Sequence, residues 1–263
     1  MIYGNEQRRY GRHLKTTQAM LTGAILVGGT LLFGGVVQAA AGRSTVHGAS
    51  TTSSSSSTAQ QTRTALIISK GNQEIERRLT TLSALDTKIT SAVHLTSSDQ
   101  STLKTEVNTT TTGLTGLKAQ LDAAATVSEA RTDASDIYTE YRVYALVAPK
   151  VGLVKVADDQ QVVQNKLSAL SSKLQTRVSE EQQAGKNVVT LQNELAEMNS
   201  LVSAAHKISA GIESSTINLQ PSDYNQNHEV LTGDNTQLQT ARADDATAYN
   251  EAKNIVTTLK TMS

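Results

Sequence analysis

The chain of 263 residues contains no cysteine and no tryptophan, and it has only one phenylalanine and two prolines. Without cysteine it has no disulfide framework, no thiol nucleophile and no cysteine-ligated metal site. The single phenylalanine, Phe33, lies in an apolar run near the start of the chain. A folded domain beyond that run would therefore have a core of Leu, Val, Ile and Ala, which suits close helix packing better than an aromatic-rich sandwich or barrel.

The charge balance gives no excess of one sign over the whole chain, which has 24 basic and 24 acidic residues. Four basic residues and one acidic residue lie in residues 1–39, so the remainder has 20 basic and 23 acidic residues. Nucleic acid is an unexpected partner for that remainder, because phosphate binding needs a clustered positive surface.

The first 41 residues predict export. A start containing Arg8, Arg9, Arg12 and Lys15 precedes an apolar run over residues 20–37, and small residues follow at 39–41. The run has 18 residues, between the roughly 7 to 15 of a signal-peptide core and the roughly 20 of a spanning helix. The segment is thus a signal peptide or an N-terminal membrane anchor, and the small residues favour cleavage. Either way the positive-inside rule places the rest of the chain outside the cytoplasm, secreted or anchored.

Residues 42–64 are nearly all Ser, Thr, Gly and Gln, without apolar periodicity, and predict a disordered, flexible linker. Residues 65–263 form the predicted helical domain. Apolar residues at helical spacing predict about six helices there, over residues 68–93, 103–121, 127–148, 163–178, 188–212 and 231–262. Pro149 is expected to end the third helix, because proline disfavours helical conformation in the residue before it.

The fold expected from these helices is all-α, an elongated antiparallel bundle with coiled-coil-like packing and one shared core. A long coiled-coil oligomer is the alternative arrangement. Breaks at Gly185 and Pro221 interrupt the periodicity too often for a single rod.

One segment carries oxygen ligands at alternate positions and is the candidate metal site. Counted from Asp223, positions 1, 3, 5 and 12 are Asp223, Asn225, Asn227 and Asp234, as in a calcium loop of the EF-hand type. Position 6 is His228 where the sharp turn calls for glycine. The alternative is an interhelical loop whose polar side chains cap the final helix. Calcium is the one cofactor that the sequence suggests.

A second segment, containing Tyr138, Tyr141, Arg142 and Tyr144, holds three of the five tyrosines beyond residue 41. Tyrosine beside arginine is common in protein-binding surfaces, so these four residues are the predicted partner contact. The alternative is that the tyrosines extend from the core to the surface of a helix.

Catalysis finds no support in the sequence. The five histidines are scattered, with no pair at ligand spacing and no nucleophile motif. No enzyme activity is therefore expected.

Three stretches carry a resemblance: Tyr141-Arg142-Val143-Tyr144 with Pro149, Ala184-Gly185-Lys186, and Asp223-Tyr224-Asn225 with Asn227-His228. Through them the chain resembles, over residues 64–263, a loose group of uncharacterised, exported, all-helical bacterial proteins of Gram-positive and candidate-phylum genomes. The resemblance implies a surface or secreted helical bundle.

The function expected from these observations is that of a non-enzymatic protein of the cell envelope or secretome, acting through contact with a protein or surface component. One alternative is a calcium- or ligand-binding helical sensor module. Another is a membrane-active helical toxin, whose amphipathic helices would rearrange to expose their apolar faces.

Overall fold

The computed structural model describes the backbone of residues 52–262 and the side chains of residues 57–262. This part of the chain is helical and has no strand, with the helices α1 (Thr52–Thr90), α2 (Ser97–Ala123), α3 (Val127–Thr139), α4 (Ala148–Gln183), α5 (Val189–Thr216), α6 (Pro221–Gln226) and α7 (Asp234–Met262). A π-helical segment, Val143–Val147, precedes α4. The all-α class and the six longer helices are confirmed. None of the helices in residues 52–262 is both long enough and apolar enough to cross a membrane.

The first helix begins earlier than the composition indicates. The predicted export segment, residues 1–41, and residues 42–51 lie outside the described residues, but residues 52–64 of the predicted linker belong to α1. Within this stretch, the hydroxyls of Thr62 and Thr64 donate to the carbonyls of Thr58 and Gln60. Ser and Thr have only moderate helix propensity, so these residues extend a helix that is stabilised by packing later in α1.

The helices α1, α2 and α3 form the first three-helix bundle. Asn72, about halfway along α1, donates to Asp122 at the end of α2, and Gln100 at the start of α2 donates to the carbonyl of Ile89 at the end of α1. These two contacts fix an antiparallel pair. The core between the three helices is aliphatic and includes Ile75, Leu82, Ile89, Leu103, Leu114, Leu121 and Ile137.

The helices α4, α5 and α7 form a second bundle with its own core. Gln164 and Ser171 of α4 bond to Ser209 and Asn199 of α5. Gln160 and Gln164 of α4 bond to Leu238 and Asp245 of α7. The α5 helix therefore runs antiparallel to the other two. The core includes Leu167, Leu174, Val178, Leu191, Leu195, Met198, Ala248, Ala252 and Ile255. The six helices thus form two successive bundles. This differs from the single shared core that the sequence predicted.

Pro149 begins a helix and does not end one. It lies in the first turn of α4, and the preceding Ala148 keeps helical angles, with φ −69° and ψ −44°. Proline is tolerated there because the first N–H groups of a helix have no partner in the helix. The break lies earlier, at residues 140–142.

The loop between α1 and α2 is fastened to α4 by carboxylates. The N–H of Thr96 donates to Asp158 Oδ2 at 3.0 Å, while the Thr96 hydroxyl caps α2 through Asp99. His94 contacts the adjacent Asp159 at 3.0 Å. The pKa of Asp158 is raised to about 6, mainly by burial and also by the nearby carboxylates of Asp99 and Glu213, while the hydrogen bond from Thr96 opposes the shift.

A buried polar layer crosses the second bundle. Gln164 of α4 donates to Ser209 of α5 at 3.1 Å and to Asp245 of α7 at 3.3 Å, and Ser209 donates to Gln160 at 2.9 Å. Burial raises the pKa of Asp245 to about 6, opposed by the hydrogen bond from Gln164. Because only one register lets these side chains bond to one another, the layer fixes how the three helices align.

We expect the domain to become more stable as the pH falls from 7.5 to 5. Asp158 and Asp245 have folded-state pKa values of about 6, above their ordinary value of 3.8, so the folded state binds protons over this range more strongly than the unfolded state does. Each carboxyl contributes about 1 kcal/mol to the free energy of unfolding at pH 5, and this contribution is lost as the pH rises through 6.

Urea titrations at the two pH values measure this effect. Asp245→Asn should reduce the difference by about 1 kcal/mol. Glu197→Gln, at an exposed carboxylate of α5, should leave it unchanged. Equal pH dependence in the wild type and in Asp245→Asn would contradict the assignment.

Candidate functional site

The clearest irregularity of the fold lies between α3 and α4. Arg142 has φ 41° and ψ 36°, the one left-handed non-glycine residue in the described part of the chain. Directly after it, the N–H of Ala148 donates to the carbonyl of Val143, which gives the wider turn of a π-helix. Such turns and such backbone strain are both found preferentially at functional sites. We name residues 138–150, together with residues 217–225 that pack near them, the junction site.

The strained Arg142 is held by α6. Its Nε donates to Asn225 Oδ1 at 2.7 Å, and Asn225 Nδ2 donates to the carbonyl of Thr139 at 2.9 Å. The guanidinium carbon of Arg142 lies 5.2 Å from the ring centre of Tyr224. Asn225 therefore bonds to both sides of the break, to the last residue of α3 and to the left-handed residue after it.

Beside this break lies a buried ion pair. The ammonium of Lys150 is 0 % exposed and donates to both carboxylate oxygens of Glu106, at 2.7 and 2.9 Å, and to the carbonyl of Leu219. These three groups come from α4, α2 and the segment after α5. Burial raises the pKa of Glu106, and the charge of Lys150 opposes this shift.

A groove of about 530 Å³ opens above the ion pair. The α2 side contributes hydroxyls and Glu106, the end of α3 contributes Glu140 and Tyr141, and the connection from α5 to α6 contributes Asn218, Gln220 and Pro221. Its volume lies in the range of small-molecule pockets, about 300 to 1,000 Å³.

Tyr141 lies at one wall of the groove, against the backbone of α2. A Cβ built on Gly113 would lie 2.5 Å from Cε1 of the Tyr141 ring, so only glycine allows this approach. Burial raises the pKa of the Tyr141 hydroxyl, and the nearby carboxylates of Glu140 and Asp136 raise it further.

The other two predicted contact residues, Tyr138 and Tyr144, hold an arginine between them. The guanidinium carbon of Arg78 lies 4.6 and 4.9 Å from their ring centres, and its Nη1 donates to Glu74 Oε2 at 2.8 Å. Both tyrosines remain 48 % exposed. The two rings therefore join the junction site to α1, and about half of each tyrosine remains exposed to solvent.

The four residues of the predicted calcium loop have other structural roles. Residues 221–226 are helical, where an EF-hand loop would wrap around the ion. Asp223 accepts from the N–H of Gln220 at 2.7 Å, Asn225 is bonded to Arg142, and Asn227 accepts from the N–H of Glu229 at 3.0 Å. Asp234 is the first residue of α7, and burial raises the pKa of its carboxyl.

The segment connects two helices, as in the alternative interpretation, but Asp223 caps α6 and Asn225 bonds to Arg142 and Thr139, so these two residues do not cap the final helix. Within the described residues, no group of three or more His, Asp or Glu side chains is placed to hold a metal ion.

Sequence reasoning missed Glu106, Lys150 and Arg78. Lys150 does carry a signal, since Val147 and Val154, three residues before it and four after it, lie on its helical face and are buried. Its partner Glu106 lies 44 residues away, and no local pattern indicates that pairing.

We expect Lys150→Met to lower the free energy of unfolding by about 3 kcal/mol, because it leaves Glu106 and the Leu219 carbonyl buried without their partner. The double variant Lys150→Met with Glu106→Gln should recover more than half of the loss, since no unpaired charge remains. Urea unfolding of the two variants measures this coupling, and additive losses would show that the pair does not act as a unit.

We expect Gly113→Ala to lower the free energy of unfolding by about 1 to 3 kcal/mol, because its methyl group would displace the Tyr141 ring. The matched control is Gly116→Ala, one turn further along α2, where a Cβ meets nothing within 4 Å. That change should stabilise the helix, by up to about 1 kcal/mol. Equal effects of the two changes would contradict the packing of Tyr141 on α2.

Comparison with protein-family models, with curated proteins and with solved structures gave no match for this chain. The resemblance to exported helical bacterial proteins therefore stays a prediction. The fold described above and the side chains of the junction site are the observations on which a function can be proposed.

Proposed function

We propose that this chain is an exported, non-enzymatic helical protein of the cell envelope or secretome, and that it acts through contact with a protein or surface component. The junction site is the proposed contact surface, with Tyr138, Tyr141, Arg142 and Tyr144 at its centre. The proposal places this surface outside the cytoplasm, on a secreted or membrane-anchored chain.

The observation that supports this proposal is the coincidence of four features at the junction site. The left-handed Arg142, the π-helical turn, the groove and the half-exposed tyrosines all lie within residues 138–150 and their immediate neighbours. Tyrosine rings give large contact areas at small cost in side-chain entropy, and their hydroxyls bond to polar partners.

A ligand-binding module is the second candidate, and the groove is the observation that favours it. Polar groups from three segments converge there beside one aromatic ring, which is the common composition of small-molecule sites. Calcium at residues 223–234 would have to displace the hydrogen bonds of Asp223 and Asn225, so the groove is the better supported site.

Photocrosslinking tests the contact proposal. We expect p-benzoyl-phenylalanine at position 144 to give a specific adduct with a second macromolecule when producing cells are irradiated, because Tyr144 is exposed at the proposed surface. The adduct should be recovered from the medium or the cell envelope. The control is the same change at Tyr249, which is 49 % exposed but lies on α7 in the second bundle.

Three results would contradict the proposal. Equal labelling from positions 144 and 249 would indicate random encounters, and no adduct from position 144 would argue against the surface. Adducts recovered only from the cytoplasm would argue against export.

A further inference from the structure

We infer that the groove of the junction site binds a positively charged organic group, a primary ammonium or a guanidinium, such as the side chain of lysine or arginine presented by the partner. This inference rests on the proposed contact function and specifies its chemistry. It is carried by the groove's shape, by the charges around it and by the way an ammonium is already held at its base.

The net charge at the groove is negative and comes from Glu140. Glu106 and Glu140 line the groove and none of its lining residues is Lys or Arg, but the charge of Glu106 is offset by Lys150 at 2.7 Å. Lys150 lies behind Glu106 and is 0 % exposed, so its ammonium is covered by protein and does not reach the open space. Phosphates and carboxylates would meet repulsion here, whereas a cation would meet the exposed carboxylate of Glu140.

The backbone adds to this polarity. The α3 helix ends at Thr139 and α5 ends at Thr216, so the carbonyl ends of two helices lie beside the groove, and helix C-termini carry partial negative charge. The Leu219 carbonyl, just past the end of α5, accepts from the ammonium of Lys150. The protein thus already stabilises one ammonium with a carboxylate and a carbonyl at this place.

The remaining walls suit the rest of such a side chain. Tyr141 offers an aromatic ring, which attracts ammonium and guanidinium groups, and Val147 and Ile217 offer apolar surface for methylene groups. The hydroxyls of Thr102, Thr105 and Thr109 can bond to a peptide backbone or to water around the ligand.

The test uses the full chain and short peptides that carry a neutral fluorophore and one central lysine. We expect fluorescence polarisation to show binding of the lysine peptide and of its arginine counterpart, and no binding when the lysine is acetylated or replaced by glutamate. Glu140→Gln should weaken binding by about tenfold, since it removes one charge contact without creating a cavity. Butylammonium as competitor distinguishes a free amine, which would displace the peptide, from a side chain that needs its flanking residues.

The matched control is Glu197→Gln, which removes the same charge from the exposed surface of α5 in the second bundle and should leave binding unchanged. Equal binding by wild type and Glu140→Gln, equal binding of the acetylated peptide, or no binding of either cationic peptide at millimolar concentration would overturn the inference. If the crosslink from position 144 is observed while these peptides do not bind, the proposed contact function is retained and the proposed cation site is rejected.

Discussion

At the junction of the two bundles the central contact is a buried one, between the ammonium of Lys150, the carboxylate of Glu106 and the carbonyl of Leu219. These groups belong to α4, α2 and the segment after α5, so this ammonium joins the first bundle to the second, together with the bonds from Thr96 and His94 to α4. A buried charge is costly unless every hydrogen of it is bonded, and here all three donor positions of the ammonium have acceptors close by. This requirement restricts how the end of α5 can lie against α2, and so determines where the groove forms.

The groove exists because the helices do not continue through the junction. The left-handed Arg142 and the π-helical turn interrupt the path between α3 and α4. Tyr141 lies on Gly113 before the turn, and Lys150 is buried after it. The strain at Arg142 is offset by its bonds to Asn225 and by the ring of Tyr224. The short helix α6 thus stabilises the break between α3 and α4, and the groove opens between α6 and α2.

Much of the fold could be predicted because its core is aliphatic and strictly periodic. The stripe from Leu191 to Ile212 is buried as its spacing predicts. The prediction fails in α4, where Val163 is exposed while Gln160 and Gln164 are buried, since these amides find partners on α5 and α7. Periodicity counts apolar residues and cannot anticipate a polar side chain that is satisfied across the bundle. For the same reason the sequence pattern does not indicate the roles of Glu106 and Arg78, whose burial depends on partners distant in sequence.

The sequence by itself determined the all-α class, the approximate helices and the absence of cysteine chemistry, because these follow from composition and from spacing within a few turns. It also identified the tyrosine cluster, although not the role of Arg78 between two of its rings. Only the tertiary structure decided that the helices form two bundles, that Pro149 begins α4, and that Asn225 bonds to Arg142 and Thr139. Each of these depends on which segments meet across the fold, and that is set by burial and hydrogen bonding between residues far apart in the chain.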